Sequence, residues 1–503
     1  MGLNQTWAVV LTSLLLTGPT CAQDVTLTAL DGGIAISGQM QGYDGEFYRI
    51  LTEYGLLTVD GQGVICTGPA CPDLTAPKAV IRFVGAPDAG LALLPPLVKS
   101  FADSRGLGYS RGPAPGFAAN ITDPLTDKTL AEFSFETTTS AASRVALIAG
   151  RAEMIIASVV EPDFGNRAVA LDALVPIVAQ DNPTPRISTA DLVRALTAEA
   201  TNWRDIGGPD MPIVLHGLAE DTDLQRSLAA RLGKPSVVGV QHPDLASLAS
   251  AVARDPWALA VTGRAAQGLA RTLPLTDGCG FPLLPSPLAV KAEDYPLSLP
   301  VFLLTPRRRL PLFARQFLEF LATPAAQNSI RATGYIDRSP ERQAMTADGL
   351  RLINAIEGAG EDVTLADLKQ LVAGMAGADR LSLTFRFEDG SSSLDAQSRE
   401  NLTDLARLLE TASFKGETLA FAGFSDGSGT AAANLDLSRA RAQSVADALR
   451  ALAPDLPEPQ IPATLAFGEA MPIACDATAP GRQLNRRVEL WIRPAFATDT
   501  PAP

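Results

Sequence analysis

The sequence predicts an α/β protein with a small β-rich module in front and an α+β module behind. Three patterns carry that prediction. Apolar and polar residues alternate at period two near both ends, strands alternate with amphipathic helices from about 78 to 345, and a β/α/β/α/β order fills the region after 380. A length of 503 residues fits about three domains at the usual size of roughly 150 residues each.

Residues 1–22 read as a secretory signal peptide. The apolar stretch from Trp7 to Thr17 is too short to cross a bilayer core of about 30 Å as a helix. Thr20-Cys21-Ala22 fits cleavage before Gln23, although neither Lys nor Arg precedes the apolar run. Cys21 raises a lipoprotein reading, but Gly18-Pro19-Thr20 lacks the leucine-and-small-residue pattern of such signals. No later stretch is apolar for long enough to span a membrane, so the mature chain is expected to have no transmembrane segment.

Residues 24–75 form the first expected module. VTLTAL and IAISG alternate around the turn Asp31-Gly32-Gly33, and FYRILTEYGLLTVDG supplies further short strands. Export permits disulfides, and the Gly-Pro turn inside CTGPAC favours a Cys66–Cys71 bridge. Cys279 and Cys475 either pair across domains or remain small buried hydrophobes.

Residues 76–345 form the second. AVIRFVG is a buried strand and LALLPPLVKSFADSRG a helix with three- and four-residue apolar spacing. SRVALIAGRAEMIIAS runs from helix into strand, and VALDALVPIVAQDNP is strand-like. STADLVRALTAEATNW is a helix capped by Ser188 or Thr189, and PLFARQFLEFLATPAAQNSIRATGY closes the domain as a periodic helix. Residues 346–379 read as a helical linker broken at Gly358-Ala359-Gly360. In the last module, 380–495, LSLTFRFE, TLAFAGFSD and RRVELWIR are strands. Between them lie a helix opening at Ser391 to Leu394 and the long helix ANLDLSRARAQSVADALRAL.

Composition narrows the function. Apolar residues make up 46% of the chain and charged residues 19%, which excludes wholesale disorder. A net charge of -14 opposes nucleic-acid and anionic-lipid binding. Two histidines and five cysteines, in these spacings, leave no metal site to expect, and no cofactor is implied. No nucleophile elbow, zinc-protease motif or phosphate loop stands in a strand–turn–helix context, so no catalytic residue is assigned and the protein is expected not to be an enzyme.

The segments VALDALVPIVAQDNP, ISTADLVRALTAEATNWRDIGG and YPLSLPVFLLTP, followed by FLEFLATPAAQ, resemble the phosphate-binding proteins of ABC transporters. That resemblance implies a two-lobed periplasmic-binding-protein fold that closes on a small solute by a hinge, with a phosphate-like oxyanion possible and an ABC permease as partner. The donors depart from that family. The turn Gly85 to Gly90 carries Asp88 and no hydroxyl, and Leu215 to Gln225 lacks the family's arginine and Ser-Gly-Thr. Thr139 to Ser143 keeps hydroxyls at a helix start, making Ser140, Ser143 and Asp88 the solute-binding candidates.

Gly423-Phe424-Ser425-Asp426-Gly427-Ser428-Gly429, then Asn434 with Leu437 to Ala442, Phe467-Gly468-Glu469, and Gly481-Arg482 with Asn485 to Glu489 resemble the OmpA-like peptidoglycan-binding domain. Diaminopimelate presents an ammonium and a carboxylate on one carbon, so a receptor needs an anion beside a forked cation. The resemblance gives the ammonium to Asp426 and the carboxylate to Arg441, with Asn434 beside the pocket and Arg486 or Arg487 at its edge. Phe424 stands where the family commonly has histidine. The expectation is a receptor in the periplasm of a Gram-negative cell, held at the cell wall or outer membrane through peptidoglycan. The alternative is an envelope scaffold whose solute cleft has degenerated.

Overall fold

The computed structural model describes residues 25–43, 46–68, 70–71, 78–113, 116–345, 349–357, 363–388 and 393–494. The expected signal segment, the glycine break of the linker, and Ser391 and Ser392 lie outside them.

The N-terminal module is a five-stranded antiparallel sheet in the order 55–60, 47–52, 35–43, 25–29, 64–67. Its alternating strands put Val25, Leu27, Tyr48 and Ile50 into a small core. Cys66 and Cys71 are disulfide-bonded beside that core. Arg315 and Arg309 dock the module to the next domain through Glu46, at 2.7 and 3.4 Å.

The middle domain is built on one large mixed sheet that runs through two lobes. Strands Gly165–Val178 and Ser298–Thr305 pair antiparallel and connect the lobes. Each contributes to both hydrophobic cores. Val169, Ala170, Val301 and Leu303 belong to the core around Phe83, Phe101 and Phe317, whereas Leu171 and Leu299 belong to the core around Trp203, Leu248 and Val261. A hinge is expected where these two strands change cores. Ser188 caps the Thr189–Leu196 helix, which ends well before Trp203; Trp203 lies in a separate short turn of helix.

The C-terminal sheet has the strand order 342–344, 379–386, 487–494, 417–423, 463–466. Its outermost strand, Arg342–Ala344, precedes the expected boundary at 345. Helices Ala396–Glu410 and Ala431–Leu452 cover one face with Leu402, Leu405, Val445 and Leu449. The first of them is capped by Asp395 and therefore starts later than its serine-rich approach suggests. The linker is more than a spacer. Its helices Gly349–Glu357 and Leu365–Met375 bury Ala355, Leu371 and Met375 against the opposite face, where Ala422, Phe424 and Trp491 need apolar cover.

The C-terminal and middle domains are locked together. Cys279 and Cys475 form a disulfide across them, and Asp277 accepts from the Cys475 amide at 2.8 Å. Arg380 grips Asp294 through two hydrogen bonds of 2.6 and 3.1 Å, and Arg386 donates to the Glu293 carbonyl at 2.7 Å.

Candidate functional site

Two places collect polar groups that a ligand can reach. In the C-terminal domain, strand Glu417–Gly423 ends where the Ala431–Leu452 helix crosses closest. A Cβ on Gly423 would lie 2.0 Å from the Ser438 carbonyl oxygen, so only glycine permits that approach. The following loop is tied down by Ser425 donating to the Gly468 carbonyl and Gly427 donating to Asp476, both at 2.8 Å. Thr430 then caps the helix through the Ala433 amide.

Asp426 sits in this braced loop. One carboxylate oxygen accepts from the Ser428 amide at 2.9 Å, and the other from Arg486 at 3.2 Å. Burial alone would raise its pKa, but the Ser428 and Arg486 hydrogen bonds outweigh it and hold the carboxyl below its ordinary range. Arg441, on the long helix, donates to the Phe424 carbonyl at 3.4 Å and lies 5.8 Å from the centre of the Phe387 ring. Burial and the neighbouring Arg486 lower its pKa, and Asp426 opposes that shift. Asp426, Arg441 and Arg486 are thus brought together as one anion beside two forked cations.

The other two expected residues are placed differently. Arg487 is fully buried, bonds Glu489 at 2.6 Å and the Met471 carbonyl at 3.0 Å, and stacks on Phe424 at 4.2 Å. It is withdrawn from the pocket edge, because Arg486 still caps the Ala479–Asn485 helix whereas Arg487 begins the final strand and points to the same face as Glu489. Glu489 below it also pairs with Arg351 of the linker and with Arg380. Asn434 is turned inward and donates to Glu469, bracing the 467–470 turn instead of opening onto the pocket. Phe424 is buried on Phe467, so the family's histidine position here is core.

The second place is a cavity of about 840 Å³ between the lobes of the middle domain. Gly85, at φ 136°, ends its strand there, and a Cβ on it would lie 2.1 Å from the Ile156 carbonyl oxygen. Asp88, Ser140 and Ser143 all line the cavity. Ser143 is almost wholly buried, and its hydroxyl pairs with that of Thr138 at 2.5 Å, which leaves it a poor ligand donor. Burial, then Asp223 and Asp244, push the Asp88 carboxyl up to about 6. Asp223 reaches across the cleft to the Ser158 amide at 2.9 Å. Sequence reasoning missed Asp223 and Asp244. Thr222 and Asp244 are readable as helix caps, but nothing local shows that their helices face one cavity. Among the described residues no group of side chains could hold a metal ion, and no helix is long and apolar enough to cross a membrane.

Residues 142–325 match the PBP superfamily domain, and residues 386–486 match the OmpA family. The chain carries one of each. A curated relative, the probable lipoprotein YiaD of Escherichia coli K12, is 33% identical over 108 residues. That alignment covers 22% of this chain and 47% of the relative, so the chain spans about half the length of the curated protein it matches. Similar solved structures include an ABC-type phosphate transport receptor from Vibrio cholerae, 17% identical with a TM-score of 0.39, covering 51% of this chain and 99% of that one. A phosphate-bound substrate-binding protein from Clostridium perfringens is 16% identical with a TM-score of 0.41, again covering 51% and 99%.

Proposed function

We propose that this protein is a non-catalytic solute receptor of the bacterial envelope, held at peptidoglycan by its OmpA family domain. The observation that carries the reading is the grouping of Asp426, Arg441 and Arg486 on a loop braced at both ends. An ammonium is accepted by Asp426, and the carboxylate on the same carbon by the Arg441 fork, with Arg486 holding Asp426 in place. The bilobal domain with its cleft supplies the solute-binding half. Anchoring confines that cleft near the wall and raises its effective concentration there. The test is co-sedimentation of the full chain with purified sacculi. Wild type is expected in the pellet, and Asp426→Ala and Arg441→Ala in the supernatant; if both variants sediment like wild type, the site is elsewhere.

A further inference from the structure

The polar groups of the cleft have the wrong sign for an oxyanion. A helix N-terminus binds an anion through its unpaired amides and positive dipole end. Four helices bring their N-termini to this cavity; Ser140–Ile148 is capped by the Thr139 hydroxyl, and each of the other three already carries a carboxylate there. Asp88 stands in the first turn of Pro87–Ser104, Asp223 opens Asp223–Leu232, and Asp244 caps Leu245–Val252 by accepting from the Ser247 amide at 2.7 Å. Of the two lining arginines, Arg144 is held by Glu161 and Asp163 at 2.7 and 2.6 Å, which leaves Arg226 facing four aspartates, these three and Asp221.

Tyr335 adds an independent observation. The residue is only 9% exposed, its hydroxyl has no hydrogen-bond partner among the described residues, and it feels the charges of Asp88, Asp172 and Asp223. A phenol held near the cleft carboxylates without a protein partner leaves its hydroxyl to solvent or to a bound molecule. Burial, and after it the repulsion of Asp223 and Asp244, pushes Asp88 up to about 6. A bound positive charge relieves that repulsion, whereas a phosphate would add to it.

We infer that the cleft takes an amine-bearing organic cation, its ammonium among Asp88, Asp223 and Asp244 and its apolar body against Leu91, Val159 and Leu218. This inference rests on the receptor reading and specifies its ligand class. The test is calorimetric titration of the full chain with putrescine, spermidine, L-arginine and inorganic phosphate, each in amine- and phosphate-free buffer. At least one amine is expected to saturate and phosphate to give no saturable heat.

Asp88→Asn provides the control for folding. Because the fold disfavours the Asp88 charge, this variant should melt no lower than wild type without ligand, while binding the amine about tenfold or more weakly. Saturation by phosphate and by none of the amines overturns the inference and leaves the receptor reading standing. Silence from all four, with sacculus binding intact, overturns both and leaves a wall-bound scaffold. Unchanged amine affinity in Asp88→Asn overturns the placement of the ammonium.

Discussion

Replacing Asp426 by Asn and Arg441 by Lys, singly and together, tests the proposal that the C-terminal site grips a zwitterion. Asn at 426 can still accept from the Ser428 amide, 2.9 Å away, so the loop is preserved while the charge is lost. Lys at 441 keeps the charge and loses the planar fork. A charge-assisted hydrogen bond contributes about 1.5–3 kcal/mol, which corresponds to roughly 10- to 150-fold in Kd. Asp426→Asn should lose that whole amount for a diaminopimelate-containing stem peptide, and Arg441→Lys about tenfold, the lower end of that range. Since both side chains hold groups on one carbon, the double variant should lose less than the two effects added together, with a coupling of at least about 0.5 kcal/mol. Calorimetry with the soluble peptide reads all four affinities, and a melting curve for each variant separates binding from folding. A single Asp426→Asn variant that melts like wild type and binds within twofold of it would refute the reasoning.

Further outcomes follow from groups buried elsewhere. Asp172, 3% exposed on the hinge strand, is pushed by burial up to about 7, so the native state holds its proton longer than the unfolded chain does. Its favourable contribution is complete below about pH 4 and is lost as pH rises through 7, a range on the order of 4 kcal/mol. Asp172→Asn should therefore gain on wild type progressively from pH 5 to pH 8 in urea melts; an equal difference at both pH values contradicts this. Glu489→Gln removes the carboxylate that Arg351, Arg380 and Arg487 share and should cost about 3–5 kcal/mol in chemical denaturation, because the buried positive charge loses much of its compensation even though Arg380 keeps Asp294. A loss below about 1 kcal/mol would show that the guanidiniums find other partners. Cys279→Ser opens a link between residues 196 apart, for which loop-closure entropy sets a ceiling of about 5 kcal/mol. Limited proteolysis should then separate the middle and C-terminal domains faster than in wild type, and equal rates would mean the ion pairs alone hold them.

Much of this was legible in the residues themselves. Period-two alternation at VTLTAL and LSLTFRFE, and three- and four-residue spacing in the helices, specify element type, but LSLTFRFE, expected to be half-buried, is buried on both faces because Arg380 and Arg386 on its polar face bond the middle domain. The ligand roles of Asp426 and Arg441 came from the resemblance carried by the Gly423–Gly429 loop and the helix beyond it, and their short separation in sequence, with a helix of fixed geometry between them, is why the fold brings the two side chains near each other. The Gly-Pro turn likewise limited Cys66 to Cys71. Groups distant in sequence were decided only by packing. Arg486 and Arg487 are adjacent and chemically identical, yet the first, at the end of the Ala479–Asn485 helix, meets Asp426, and the second, opening a final strand paired on both sides, is buried on Glu489. Cys279 found Cys475, and Asp88 found Asp223 and Asp244, only once whole domains and lobes had closed on each other. Local patterning governs which face a residue seeks, but the sign of a cleft depends on charges summed over distances that no run of sequence records.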